Sequence, residues 1–226
     1  MARKTRFLIS PSTTVMLPKV ADPRIPEELP TARLLLRRWR SSDLDSLAQM
    51  FAQPEVWEFP FARGLTREET ELRLSRYIET WEHDGFGKYA VELSGDGPLI
   101  GCVGLELETW FHEIEGEVEI GWRLDPRYWG DGYATEAALA SLKVGFDRLG
   151  LDRIVAVVEP ANLASLRLAE KIGLRVVRET LEPKFGRLLE VFVVEREIFE
   201  EATGSQTAVE DGLHSAKVLD TTTRAH

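Results

Sequence analysis

Apolar and polar positions change period several times along the chain, and each change marks an element. Arg33 to Trp39 reads Arg-Leu-Leu-Leu-Arg-Arg-Trp, a short apolar strand bounded by charge. Ser42 or Asp43 then offers an N-cap for a helix to about Phe51, and Thr66 with Glu69 forms a capping box opening a helix through Trp81. Residues 88–124 fall into three apolar stretches, which predicts three consecutive strands joined by a Gly95-Asp96-Gly97-Pro98 turn and a longer connection over 109–116. From Asp131 to Leu149 the period turns helical, with Ala134, Ala138, Leu142 and Phe146 on one face and Gly150 as a stop. Arg153 to Val158 is a β-branched strand, and a further helix and two closing strands complete the pattern. Strands and helices in this mixed order predict an α/β sheet with both parallel and antiparallel pairs.

The strand, turn and helix between Gly121 and Ala137 carry the most chemistry. Gly130 and Gly132 have no Cβ, so the turn between them admits backbone angles closed to other residues and lets a ligand lie against its amides. Free N–H groups around Ala134 then point outward at the positive end of a helix dipole, where a phosphate or pyrophosphate is the natural occupant. A lone Gly-x-Gly would fit an ordinary tight connection equally well, so the flanking residues decide. No Gly-Lys-Ser/Thr follows, which removes the nucleoside-triphosphate loop. Thr135 stands where a dinucleotide fingerprint wants Gly or Ala, and no early strand-turn-helix precedes it.

The segment Trp129-Gly130-Asp131-Gly132-Tyr133-Ala134 resembles the acetyl-CoA signature of the GNAT N-acetyltransferases, Arg/Gln-x-x-Gly-x-Gly/Ala. Trp129 departs from the usual Arg or Gln, which leaves any cofactor contact from that position to its backbone. The continuation Tyr133-Ala134-Thr135-Glu136-Ala137 is similar to the branch that acetylates ribosomal-protein N-termini. Asn162-Leu163-Ala164-Ser165, on a helix ending at Gly173-Leu174, is similar to that branch's second signature. Arg33–Trp39, Gly85–Glu92 and Pro98–Leu105 look like its first three strands, so the likeness spans about residues 31–199. The resemblance implies a mixed, mostly antiparallel sheet of about seven strands flanked by helices. It also implies that the strands ending at Leu124 and beginning at Arg153 splay apart to admit the pantetheine arm. Acetyl-CoA is the implied cosubstrate, held by Leu124, Trp129, Gly130, Asp131, Gly132, Tyr133, Ala134, Thr135, Asn162 and Ser165.

Composition sets limits on this picture. The chain has 226 residues, 43% of them hydrophobic, enough for one substantial core. The first thirty residues carry five prolines without sustained periodicity, and residues after about Glu201 are Thr-, Ser- and charge-rich. The expected organisation is a flexible segment over 1–28, an acetyltransferase domain over 29–203 and a flexible tail over 204–226. Phe7-Leu8-Ile9 and Val15-Met16-Leu17 are apolar anchors should the N-terminal arm dock on a second subunit, so monomer and homodimer both stay open. No run approaches the ~20 apolar residues of a membrane span. Met1 to Arg6 is basic but has no apolar signal core behind it, and Cys102, the single cysteine, reads as a buried strand residue. A reducing cytoplasm is the expected setting. The formal charge of −10 argues against nucleic acid and favours a cationic partner.

Acetyl transfer from a thioester to an amine needs a neutral amine, a polarised carbonyl and a proton for the departing thiolate. An α-amine is neutral in roughly one molecule in ten at pH 7, a lysine in fewer than about one in a thousand. A terminal amine therefore needs only modest help. Glu113, Glu115, Glu117 and Glu119 alternate into the strand ending at Leu124. A solvated edge or hairpin suits Glu113 and Glu115, whereas Glu119 lies beside the apolar run Ile120–Leu124. Glu119 is the candidate base, directly or through a water, with an ordinary strand carboxylate as the alternative and Glu182 the next carboxylate. A backbone N–H in the same strand would polarise the carbonyl. Ser165 is the candidate acid by resemblance to the Asn-x-x-Ser helix, because Ala169 stands where many GNAT enzymes have a tyrosine. Asn162 also suits an N-cap after Pro160.

The acceptor is not written in the chain. Trp57, Phe59, Pro60 and Phe61, and Trp110-Phe111-His112, are aromatic loop segments that suit a pocket wall or plain packing. No Cys/His cluster has metal-ligand spacing, so no metal is expected. The expected activity is acetyl transfer to a primary amine of a protein, a peptide or a small molecule, by direct attack in a ternary complex. A detoxifying enzyme for antibiotics or polyamines, and a CoA-binding sensor without catalysis, remain as alternatives.

Overall fold

The computed structural model describes residues 25–109, 111–182 and 186–202. The expected flexible tail over 204–226, the two apolar anchors and Trp110 lie outside them. Eight strands form one sheet in the order β1-β2-β3-β4-β5-β6-β8-β7. They are β1 (Glu28–Pro30), β2 (Leu34–Arg37), β3 (Lys88–Leu93), β4 (Leu99–Leu107), β5 (Val118–Leu124), β6 (Arg153–Val158), β7 (Arg175–Leu181) and β8 (Leu188–Glu195). Every neighbouring pair is antiparallel except β5 with β6, which is parallel. The three strands expected over 88–124 are present with their turn and long connection, and β1 adds an edge strand to the seven expected.

Strand alternation splits the core in two. On one face Ala90 and Cys102 meet α1 (Leu44–Phe51) and α3 (Arg67–Asp84) through Leu47, Met50, Phe51, Leu74 and Tyr77. On the other, Val91, Val103, Leu105 and Ile120 meet α4 (Tyr133–Asp147) through Ala137, Ala138 and Leu142. The helix comes close because Gly145 lacks a side chain: a Cβ there would stand 2.6 Å from Ile154 Cδ1 and 2.8 Å from Leu105 Cδ1. Cys102 is buried as expected, its sulfur 3.8 Å from the Tyr77 hydroxyl.

Local chemistry fixes the helix ends. Thr66 accepts from the Glu69 amide at 3.2 Å while Glu69 accepts from the Thr66 amide at 2.8 Å, the reciprocal box read from sequence. Asp43 differs. A 3-10 turn, Ser41–Asp43, precedes α1, and the Asp43 carboxylate takes the Arg40 amide at 2.8 Å and the buried Arg37 guanidinium at 2.8 and 2.9 Å instead of capping α1. A buried cation has first claim on the nearest carboxylate.

The core begins ahead of the boundary expected at residue 29. Ile25 is 5% exposed within the main cluster, and the Pro26 carbonyl accepts from the Tyr89 hydroxyl at 2.9 Å. An isolated Ile among prolines has no periodic signal, so only the packing shows its role. A chain starting at residue 29 is expected to lose about 2–3 kcal/mol relative to one starting at 25, from the buried side chain and the hydrogen bond. That corresponds to a melting temperature lower by roughly 5–10 °C. Equal melting temperatures would show that Ile25 contributes nothing.

Candidate active site

The parallel pair β5 and β6 shares a single register position, Glu119 opposite Val155. Beyond it β5 continues to Leu124 along β4, and β6 continues to Val158 along β8. The strands diverge, and the backbone edges that face each other across the gap have no strand partner. A cavity of about 1040 Å³ fills the opening, with Glu119, Trp122 and Leu124 on one side and Val157, Val158 and Asn162 on the other.

The glycine turn closes one end. Gly130 has φ 89° and Gly132 has φ 82°, left-handed values that favour glycine. Gly132 is the N-cap of α4 and makes no side-chain cap, so the first amides of the helix, on residues that line the cavity, are left to a ligand or to water. A Cβ on Gly132 would find only Arg33 Nη2, at 3.6 Å, so the backbone angle and not crowding by protein requires glycine here. Arg33 braces the turn: Nη1 donates to the Asp131 carbonyl at 2.9 Å, Nε donates to Glu136 Oε2 at 2.7 Å, and the guanidinium lies 4.4 Å from the Tyr133 ring. Trp129 acts through its ring, because Nε1 donates to the Leu124 carbonyl at 2.8 Å and ties the turn to the end of β5. Leu124, Trp129, Gly130, Gly132, Tyr133, Ala134 and Thr135 all line the cavity. Asp131 is not among the lining residues, its carbonyl being taken by Arg33.

Opposite the turn, α5 (Leu163–Lys171) begins at Asn162, whose Oδ1 accepts from the Ser165 amide at 3.1 Å. The cap read from sequence is therefore present. Ser165 Oγ accepts from Trp122 Nε1 at 3.0 Å, a bond that spans the splay from β5 to α5. An indole N–H only donates, so this bond consumes a lone pair and leaves the serine O–H free for another acceptor. Ala169 is fully buried in the core.

Glu119 sits where the strands part. Burial pushes its carboxyl up to about 7, with Glu108 and Glu106 adding to the rise while Lys88 and the Val157 amide pull it back. Lys88 donates to Glu106 at 2.8 Å; burial opposes its charge, but Glu106 and Glu119 outweigh it and raise its pKa. The other alternating carboxylates are engaged elsewhere, Glu113 with Arg178, Glu115 with His112 and Glu117 with Arg153. Glu182 also borders the cavity, 3.8 Å from Arg187. Sequence reading missed Lys88, Trp122, Arg73, Arg76 and Arg123, all lining residues, because each sits in an ordinary strand or helix pattern.

The domain model described as "Acetyltransferase (GNAT) domain" matches residues 33–175, and the chain belongs to that family. It is 32% identical over 147 residues to the uncharacterised N-acetyltransferase YnaD of Bacillus subtilis, covering 64% of this chain and 81% of that protein. A GNAT-family acetyltransferase of Bacillus anthracis superposes with a TM-score of 0.63 at 28% identity, covering 75% of this chain and 99% of that one. The fold is also that of RimL, a ribosomal L7/L12 alpha-N-protein acetyltransferase solved with coenzyme A, with a TM-score of 0.62 at 17% identity over 76% of this chain and 97% of that one. The protein is an acetyl-CoA-dependent acetyltransferase. Its uncapped helix amides, glycine turn and open strand edges fit the pyrophosphate and the amide-bearing arm of that cosubstrate. Among the described residues no cluster of His, Cys, Asp and Glu could hold a metal ion, and no helix is long and apolar enough to cross a membrane.

Two outcomes check this geometry. Acetyl-CoA is expected to raise the melting temperature, and Gly132→Val is expected to abolish that rise, since a β-branched residue strains at φ 82° and would crowd a ligand on the turn. Retained affinity in a folded variant would refute it. The second outcome concerns Glu119, whose folded pKa of about 7 lies above the 4.5 of a free carboxyl. Its proton is kept below 4.5 in both states; as pH rises through 7 the buried group charges, and stability falls. Glu119→Gln should therefore melt roughly 2–5 °C higher than the wild type at pH 8 and no higher at pH 4.5. A gain that is independent of pH would place the carboxyl in an ordinary environment.

Proposed function

We propose that the chain transfers the acetyl group to a primary amine by direct attack in a ternary complex, with Glu119 as base and Ser165 as acid. The observation that carries this reading is that one cavity contains both groups, on either side of a gap whose backbone edges are open. Acetyl-CoA supplies an activated carbonyl and a thiolate leaving group. Glu119 takes a proton from the incoming ammonium, directly or through a water, and its raised pKa matches it to that task near neutrality. An unpaired backbone N–H on β5 serves as donor to the carbonyl oxygen. The N–C bond forms as the C–S bond breaks, the acylated nitrogen sheds its second proton to solvent, and the Ser165 O–H, kept free by the Trp122 bond, gives its proton to sulfur and recovers one from solvent. Protein or peptide N-terminal amines and small amines both suit this arrangement.

Thiol release measured from pH 5 to 9 tests the assignment. The wild-type kcat is expected to fall below about pH 7 as Glu119 becomes protonated. Glu119→Gln is expected to lose roughly 10²–10⁴-fold above pH 7 and to converge on the wild type at low pH. Ser165→Ala is expected to lower kcat with little change in acetyl-CoA affinity. A wild-type pH profile in Glu119→Gln would make Glu119 structural and move the search to Glu182.

A further inference from the structure

We infer that the acceptor carries an anionic group, carboxylate or phosphate, close to the amine that is acetylated, and that Arg73, Arg76 and Arg123 receive it. This rests on the proposed reading in which the Glu119 end of the cavity takes the amine. Arg73 and Arg76 lie one turn apart on α3 and both line the cavity. Neither makes a hydrogen bond or an ion pair among the described residues. Arg73 instead lies over the Trp57 ring at 4.9 Å, and Arg123 lies over the same ring at 3.7 Å. Arg123 Nη1 donates to the Val56 and Phe59 carbonyls at 2.7 and 3.0 Å, which fixes the guanidinium while its other nitrogens have no partner among the described residues. Burial and the neighbouring Arg73 lower its pKa, although Glu119 pulls the other way, and it makes no ion pair among the described residues. The indole N–H of Trp57, 2% exposed on the same wall, is a buried donor without a partner among the described residues.

Glu106 lies close enough to feel Arg73 and Arg76, but among the described residues no neighbouring carboxylate closes an ion pair with the three guanidiniums. Glu106 is tied to Lys88 at 2.8 Å, Glu108 takes the Phe111 amide at 3.2 Å, and Glu55 and Glu58 are exposed residues of the wall. Two guanidiniums over one indole, with Arg76 one turn along α3, in a cavity that Glu119 also lines, suit a molecule that is cationic at one end and anionic at the other. Arginine's planar fork matches carboxylate and phosphate alike. A polycation such as a polyamine would meet like charge there.

Matched acid and amide acceptors test the idea. Two measurements apply to each: thiol release with acetyl-CoA, and thermal shift of the dead-end complex with CoA. Glycine, β-alanine, 4-aminobutyrate and 6-aminohexanoate are compared with their carboxamides, phosphoethanolamine with ethanolamine, and the peptides Ala-Asp-Ala-amide and Ala-Glu-Ala-amide with Ala-Asn-Ala-amide and Ala-Gln-Ala-amide. The series separates a small amino acid, a phosphorylated amine and an acidic N-terminus as sources of the charge. In at least one series the acid is expected to exceed its neutral partner at least tenfold in kcat/KM, and to give the larger shift. Arg76→Gln and Arg73→Gln are expected to erase that preference through KM, and Arg73→Lys to restore part of it, with the acetyl-CoA shift unchanged in all three. Equal response to acid and neutral partner in every series, or a preference that survives both glutamine variants, overturns the inference. Loss of acetyl-CoA binding or of turnover with all amines, acid and neutral alike, would instead count against the acetyltransferase mechanism itself, and a shift in the dead-end complex still separates the two cases.

Discussion

The site depends on the way β5 and β6 are held apart. Each is fully paired on its outer edge, β5 with β4 and β6 with β8, so neither is free to swing toward the other. Between them only Glu119 and Val155 are in register. A sheet interior normally pairs every backbone N–H and C=O, and leaving such groups unpaired away from water costs about as much as a lost hydrogen bond each. The open edges are thus a standing demand for a ligand with amides of its own. The Trp122 to Ser165 bond spans the gap, and the Trp129 to Leu124 bond ties the glycine turn to the end of β5.

Electrostatics work at two scales that point in opposite directions. The whole chain carries −10, which draws a protonated amine toward the protein. Inside the cavity the balance is local: a carboxyl shifted to about 7 shares the lining with guanidiniums that make no ion pair among the described residues. Net charge alone suggested a cationic partner, whereas the acceptor we infer carries both signs. The raised pKa of Glu119 means that its charged form costs the fold stability above neutrality.

Much of the fold and many residues of the cavity lining were legible in the chain. The capping box at Thr66, the strands over 88–124 and the glycine turn follow rules that act within a few residues, so local sequence suffices to read them. Asn162 and Ser165 were singled out by likeness to a family motif and Glu119 by its place beside an apolar run, and all three line the cavity. What was hidden depends on contacts distant in sequence. Ile25 looks like one apolar residue among prolines until β3 covers it, and Asp43 looks like a helix cap until Arg37 claims it. Arg73, Arg76 and Arg123 carry no spacing that separates them from other surface charges, and only the fold brings them to one cavity, two of them over one indole. Trp129, a departure from the family motif, gained a purpose only when its ring met the end of β5.

Amide hydrogen exchange with and without CoA tests the central claim, that the splay between β5 and β6 is the cosubstrate slot. CoA is expected to slow exchange at residues 121–124 of β5, at 157–158 of β6 and at 133–135 of α4, and to leave β1, β2 and β7 unchanged. Protection confined to other elements, or none at these positions under saturating CoA, would contradict it.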